Sequence, residues 1–186
     1  VIHDDTIDRT TNGKGFVNTL SLRELKTFRI NEKQASELKQ QIPTLNEVFD
    51  LVNQTCFINI ELKGKGTATA VVALIEEYVL EKNWKYADFL VSSFDWNAVQ
   101  EVRFLNENIP IGILTETNLD LAFSFAKFMK AEAIHPEFHL LTQDNTAQIQ
   151  AKGIRVFPWT VNEYEAIQKI KTFNVNGIIT DFPDRI

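Results

Sequence analysis

From residue 56 onward the chain keeps a beat: a short β-branched or aromatic run, then an amphipathic stretch of helical period. The predicted strands are Phe57–Leu62, Phe89–Ser92, Ile111–Leu114, Ala133–His135, Ile154–Phe157 and Gly177–Thr180. Past the first interval, each begins about 22 residues after the last, the length of one compact strand-plus-helix unit in a parallel sheet. The segments share no repeated motif, so the beat is fold periodicity and not a solenoid consensus.

Helix punctuation fills the intervals. Ser21-x-x-Glu24, Thr44-x-x-Glu47 and Asn162-x-x-Glu165 read as capping boxes, and Asp95 is placed to cap a helix beginning after Phe94. Ala68, Val71, Val72, Ile75 and Val79 fall at helical spacing and predict one buried stripe. With no Ser/Gly linker or low-complexity tract in view, residues 1–186 read as a single domain.

Six such units suit an open doubly wound sheet or most of an eight-unit barrel. Two features favour the barrel. No strand is followed by a Gly-rich phosphate loop, since Gly13-Lys14-Gly15 lacks a strand-to-helix setting. Polar residues also gather where strands end: Ser92-Ser93-Phe94, Thr115-Glu116, His135-Pro136-Glu137, Trp159-Thr160 and Thr180-Asp181. A βα barrel carries its active site on that rim. Within Phe57–Lys63, alternation puts Ile58, Ile60 and Leu62 on one face and Asn59, Glu61 and Lys63 on the other. A carboxylate and an ammonium at the end of a covered strand call for a ligand, a metal or a partner to compensate them; the plain alternative is an ion pair on an exposed edge.

Composition narrows the partners. A formal charge of -6 disfavours nucleic acid, whose phosphates need clustered Lys and Arg. No run approaches the roughly 20 apolar residues of a membrane span. Cys56, the only cysteine, reads as a small packing residue at the head of an apolar run. The cytoplasm is expected, with an upstream signal peptide left open because the opening Val1-Ile2-His3-Asp4-Asp5 has the look of mid-sequence.

The N-terminal stretch from His3 to Gly15 packs ionisable residues ahead of turn formers, and His3 follows two apolar residues as a strand-end acid or base would; an ordinary loop histidine fits the same residues. Its His3-Asp4 and Arg9-Thr10-Thr11-Asn12-Gly13-Lys14-Gly15 resemble the signature of the glycerophosphodiester phosphodiesterase family. Pro43-Thr44-Leu45, Ile60-Glu61-Leu62-Lys63, Ser92-Ser93-Phe94, Trp159-Thr160-Val161-Asn162 and Gly177 through Pro183 match further family motifs in order.

That resemblance implies a TIM-type (β/α)8 barrel, of which this chain holds about strands 3 to 8. It implies as well that a first strand ending in His-Arg and a second carrying Glu-x-Asp lie upstream. His3 then matches a catalytic histidine, Glu61 a ligand of a divalent metal (Mg²⁺ or Ca²⁺), and Lys63 a cation at the phosphate. Trp159 and Phe94 match the glycerol-side wall, and Arg9 is a further candidate at the phosphate. The implied reaction is hydrolysis of small glycerophosphodiesters to sn-glycerol 3-phosphate and an alcohol, with little turnover from this chain alone. The competing readings are a phospholipase D-like headgroup hydrolase and a catalytically inactive binding or scaffold fragment.

Overall fold

The computed structural model describes residues 1–31 and 40–186. The chain forms two compact units, Val1–Thr55 and Cys56–Ile186.

Among its described residues the first unit consists of loops, one 3-10 turn (Val17–Thr19) and two short α-helices, α1 (Leu22–Leu25) and α2 (Leu45–Val52). Both helices start with the capping boxes read from the sequence. Ser21 accepts from the Glu24 amide and Thr44 from the Glu47 amide, while each glutamate reaches back to its cap. Those reciprocal bonds occupy amide donors that a helix start leaves without intrahelical partners. Ile7 and Phe49 are fully buried and give this unit its apolar centre.

The second unit carries a parallel sheet of five strands in sequential order: β1 (Ile58–Glu61), β2 (Phe89–Ser93), β3 (Ile111–Thr115), β4 (Ala133–Pro136) and β5 (Arg155–Val156). Between and after them run α3 (Ala68–Glu81), α4 (Trp96–Leu105), α5 (Leu119–Met129), α6 (Gln143–Gln150) and α7 (Tyr164–Lys171). Parallel neighbours require a crossover, and one α-helix runs in each, joined by a 3-10 turn at Tyr86–Asp88 before β2 and at Phe138–Leu140 after β4. β2 and β3 are buried along their whole length, as strands covered on both faces must be. Leu90, Ala133 and Phe157 meet in one core cluster with Ile179 against it. Each fully buried aliphatic side chain contributes about 1.5–3 kcal/mol of transfer free energy, offset by the entropy of ordering the chain.

Three sequence expectations are corrected. Gly177–Thr180 forms no strand; it runs beside the segment that follows β5 through single bonds, Ile179 N–H to Pro158 O at 2.9 Å and Val161 N–H to Ile179 O at 3.0 Å. Pro158 brings no amide hydrogen, and the Val156 amide donates to the Asn176 side chain at 2.9 Å, so two donors that a regular ladder would use are not available to it. Asn162 does not cap α7, whose N-cap is Glu163 without a side-chain bond. Cys56 is exposed, because it precedes the strand and the apolar burial begins later, with Ile58 and Ile60.

No helix among the described residues is long and apolar enough to cross a membrane.

Candidate active site

The polar residues at the C-terminal ends of the strands are held in place by short tertiary bonds. Glu61 pairs in register with Ser92, and the Leu62 amide continues the ladder to Ser92 O at 2.8 Å. The Ser93 hydroxyl donates to Leu62 O at 2.6 Å and accepts from the Asp95 amide at 3.0 Å, tying the end of β1 to the start of α4. One layer down, the Ser92 hydroxyl donates to Asn59 Oδ1 at 3.0 Å. Ile60 and Leu62 are buried while Glu61 is half-buried and Lys63 exposed, the alternation expected of a two-faced strand. Lys63 Nζ stands 3.5 Å from Glu61 Oε1, so the two form an ion pair at the strand end.

Across the sheet, Trp159 is fixed at both its backbone and its indole. Its amide donates to Pro136 O at 3.0 Å, its carbonyl accepts from the Phe138 amide at 3.1 Å, and Nε1–H donates to His135 O at 2.8 Å. Phe94, just beyond β2, meets Trp159 edge-on with ring centroids 5.2 Å apart. The two aromatic candidates are thereby brought together as one wall, although they come from different strand ends.

Asn162 closes the same rim. Its Oδ1 accepts from the Asp181 amide at 3.0 Å and from the Thr180 hydroxyl at 3.1 Å, and its Nδ2 donates to Asp181 Oδ2 at 2.8 Å. A residue read as a helix cap is a clasp between two loops. The sequence signal was that Asn162 and Thr180-Asp181 each fall in a stretch that matches a family motif.

His135 does not sit on the rim as a solvent-facing group. It is 1% exposed, neither ring nitrogen has a hydrogen-bond partner, and its ring stands edge-on to Phe157 at 5.4 Å. Burial, helped by the positive charge of Arg155, pushes its pKa down to about 4, so the imidazole is neutral at pH 7. Gly112 makes room for it: a Cβ there would lie 2.9 Å from Nε2.

His3 and Arg9 belong to the first unit. Arg9 grips Asp4 with two nitrogens, Nε to Oδ2 at 2.6 Å and Nη2 to Oδ1 at 2.8 Å, and His3 Nδ1 lies 3.0 Å from Asp4 Oδ1. The Arg9 bonds, then the one to His3, hold the Asp4 carboxyl well below the usual carboxylate range. The rest of that motif ties the loop. Asp8 accepts from the Gly15 amide at 2.8 Å, the Thr11 hydroxyl donates to Ile7 O at 2.8 Å, and the Ile7 amide donates to Gly15 O at 3.0 Å. Gly15, at φ +128°, adopts a backbone that side chains rarely allow. Arg9 therefore orders its acidic loop, and His3 stays exposed beside Asp4.

Glu61 offers the hard oxygen that Mg²⁺ or Ca²⁺ prefers, but it is one carboxylate where such ions take about six to eight oxygens. Among the described residues, no group of three or more His, Cys, Asp or Glu side chains is placed to hold a metal. The donor set matches in kind and falls short in number.

A family model, the glycerophosphoryl diester phosphodiesterase family, matches residues 1–185. The glycerophosphodiester phosphodiesterase of Caldanaerobacter subterraneus subsp. tengcongensis is 34% identical over 196 residues, covering 100% of this chain and 77% of that protein. The one from Bacillus altitudinis is 33% identical over 195 residues, covering 100% and 78%. Among solved structures, an Oleispira antarctica phosphodiesterase in complex with the product sn-glycerol-3-phosphate superposes with a TM-score of 0.86 at 24% identity, over 100% of this chain and 76% of that one. A glycerophosphodiester phosphodiesterase of Agrobacterium tumefaciens gives a TM-score of 0.80 at 21% identity, over 99% and 78%. The parallel βα series is thus that of the TIM-type phosphodiesterase barrels, of which this chain spans about three quarters.

Proposed function

Because this chain belongs to the glycerophosphoryl diester phosphodiesterase family, whose members are phosphoric diester hydrolases, we propose that it acts with a divalent metal on small glycerophosphodiesters such as glycerophosphocholine or glycerophosphoethanolamine. The products are sn-glycerol 3-phosphate and the free alcohol. The observation that carries the reading is the Glu61–Lys63 pair at the end of β1, on the rim that also bears the Phe94–Trp159 wall. Residues 1–186 act as parts of one domain in this proposal.

Each side chain has a task that its chemistry suits. Attack on a phosphodiester builds negative charge on the phosphoryl oxygens, and the Lys63 ammonium offsets it. The departing alkoxide needs a proton, a task for the imidazole of His3, held from one side by Asp4. Trp159 and Phe94 present apolar faces to the carbon skeleton of the glycerol. Arg9 serves by holding Asp4. Mg²⁺ or Ca²⁺, with Glu61 among its ligands, would supply Lewis-acid polarisation of the phosphoryl group.

The test is release of glycerol 3-phosphate from glycerophosphocholine, followed with and without EDTA, for residues 1–186 and for any longer form that the reading frame encodes. EDTA and Glu61→Gln are expected to abolish turnover, and Glu61→Gln to weaken Ca²⁺ or Mg²⁺ binding in calorimetric titration. With no group of three or more His, Cys, Asp or Glu side chains placed to hold a metal among the described residues, residues 1–186 alone should turn over little substrate. A Glu61→Gln protein of unchanged activity and metal affinity sinks the ligand assignment. Choline released from sphingomyelin, with glycerophosphocholine left intact, would favour headgroup hydrolysis of lipids instead.

A further inference from the structure

β1 ends at Glu61, so the backbone that carries Lys63 lies past the last strand residue. Two bonds reach it from β2. The Leu62 amide donates to Ser92 O at 2.8 Å, and Leu62 O accepts from the Ser93 hydroxyl at 2.6 Å. Beyond Lys63 the chain enters Gly64-Lys65-Gly66, where the Thr67 hydroxyl donates to Gly64 O at 2.8 Å, a contact internal to the loop. The Ser93 bond is thus a tie between the Lys63 end of β1 and the body of the sheet.

The same hydroxyl has a second partner. It accepts from the Asp95 amide at 3.0 Å, and Asp95 Oδ1 in turn accepts from the Asn97 amide at 3.0 Å at the start of α4. One oxygen is therefore bonded to the peptide group that joins Leu62 to Lys63 and to the one that joins Phe94 to Asp95. α4 gives this line a fixed end, since its Val99 and Val102 are fully buried. A buried hydroxyl that both donates and accepts is costly to remove, because a carbonyl and an amide lose that partner together.

Ser93 itself faces away from the rim groups that it joins. Glu61 is in register with Ser92, which puts those two side chains on one face of the sheet and, by the period of two, Ser93 on the other. Ser93 is 1% exposed, whereas Phe94 is 43% exposed and Lys63 is open to solvent. Its influence on a ligand runs through the two backbones that it holds.

We propose that Ser93 is a positioning residue of this rim: it sets the separation between the Lys63 ammonium and the Phe94–Trp159 wall. A phosphate ester whose anion meets Lys63 while its carbon chain meets the aromatic rings depends on that separation, and a misplacement of about 1 Å between two halves of a site is enough to matter. The inference rests on the assignment of this rim to glycerol 3-phosphate esters.

The test is an NMR titration of isotope-labelled protein with sn-glycerol 3-phosphate, followed at the Lys63 amide and the Trp159 indole N–H. Wild type should respond at both, and Lys63→Met should lose most of the affinity. Ser93→Ala should weaken binding about tenfold or more. Ser93→Thr, which returns the hydroxyl, should restore it. Ile113→Val is the control for stability. Ile113 is fully buried and in register with Ser93, and its loss of one methylene costs stability comparable to Ser93→Ala while leaving both bonds to the Ser93 hydroxyl in place. It should bind as wild type does, with near-native circular dichroism establishing that each variant folds. Wild-type affinity in Ser93→Ala, equal weakening in Ile113→Val, or a Ser93→Thr protein as weak as Ser93→Ala overturns the positioning role and leaves the assignment of the rim standing. A wild type that responds at neither Lys63 nor Trp159 overturns that assignment, and the inference with it.

Discussion

Trp159 stands edge-on to Phe94, with ring centroids 5.2 Å apart and planes at 89°, while its indole N–H donates to the carbonyl of His135 at 2.8 Å. One contact forms the candidate wall and the other stops the wall from turning. The two can be separated by substitution. Trp159→Ala removes both and should raise KM for glycerophosphodiesters with a smaller effect on kcat. Trp159→Phe keeps an aromatic face but leaves the carbonyl without its donor. It should cost about 1 kcal/mol in urea unfolding and change KM less. Equal KM values in Trp159→Ala and wild type would remove Trp159 from the substrate wall.

Stability should depend on pH through His135. Its ordinary pKa of 6.5 falls to about 4 in the fold, so the unfolded chain binds the additional proton between those values. The contribution is fully present above pH 6.5 and is lost as pH falls from 6.5 towards 4. The loss is on the order of 3 kcal/mol, at 1.36 kcal/mol per pKa unit. Urea unfolding of wild type and His135→Leu from pH 7.5 to 4.5 measures it: the wild-type slope should exceed that of the variant. Parallel slopes would show that His135 is not the titrating group.

Gly13 has no room for a side chain. A Cβ would lie 2.3 Å from Phe28 Cδ1 and 2.7 Å from Ile7 Cδ1, and the Ile7 side chain is fully buried. Gly13→Ala should destabilise this unit by about 1–3 kcal/mol, read as faster amide exchange in residues 5–17. Exchange at the wild-type rate would mean that the loop shifts without cost.

Asn162 clasps Thr180 and Asp181 by three hydrogen bonds. Asn162→Ala should free the segment that follows residue 176 and increase its protease sensitivity while leaving the start of α7, which has no side-chain cap, unchanged. Loss of helicity at α7 instead would restore the capping reading.

How much was legible beforehand follows from the range over which each feature is set. The strand-and-helix series, the boxes at Ser21 and Thr44 and the cap at Asp95 were readable because their partners lie within a few residues. The two-faced character of β1, with Glu61 opposite Ile60 and Leu62, was readable from a period of two. Two of the failures are tertiary. Gly177–Thr180 has the composition of a strand, yet its neighbour contains Pro158 and offers no regular ladder. Asn162 has the spacing of a cap, yet a loop distant in sequence offers its side chain three partners at once.

By itself, then, the sequence determined the order of elements, the parallel sheet and the chemical character of the strand ends, because periodicity and capping are local interactions. Tertiary structure alone decided that His135 is dry and neutral, that Phe94 meets Trp159, that Arg9 is committed to Asp4, and that the Ser93 hydroxyl joins Leu62 to Asp95. Each of those depends on which atoms exclude water from which others, and that is settled only when elements far apart in the chain pack together.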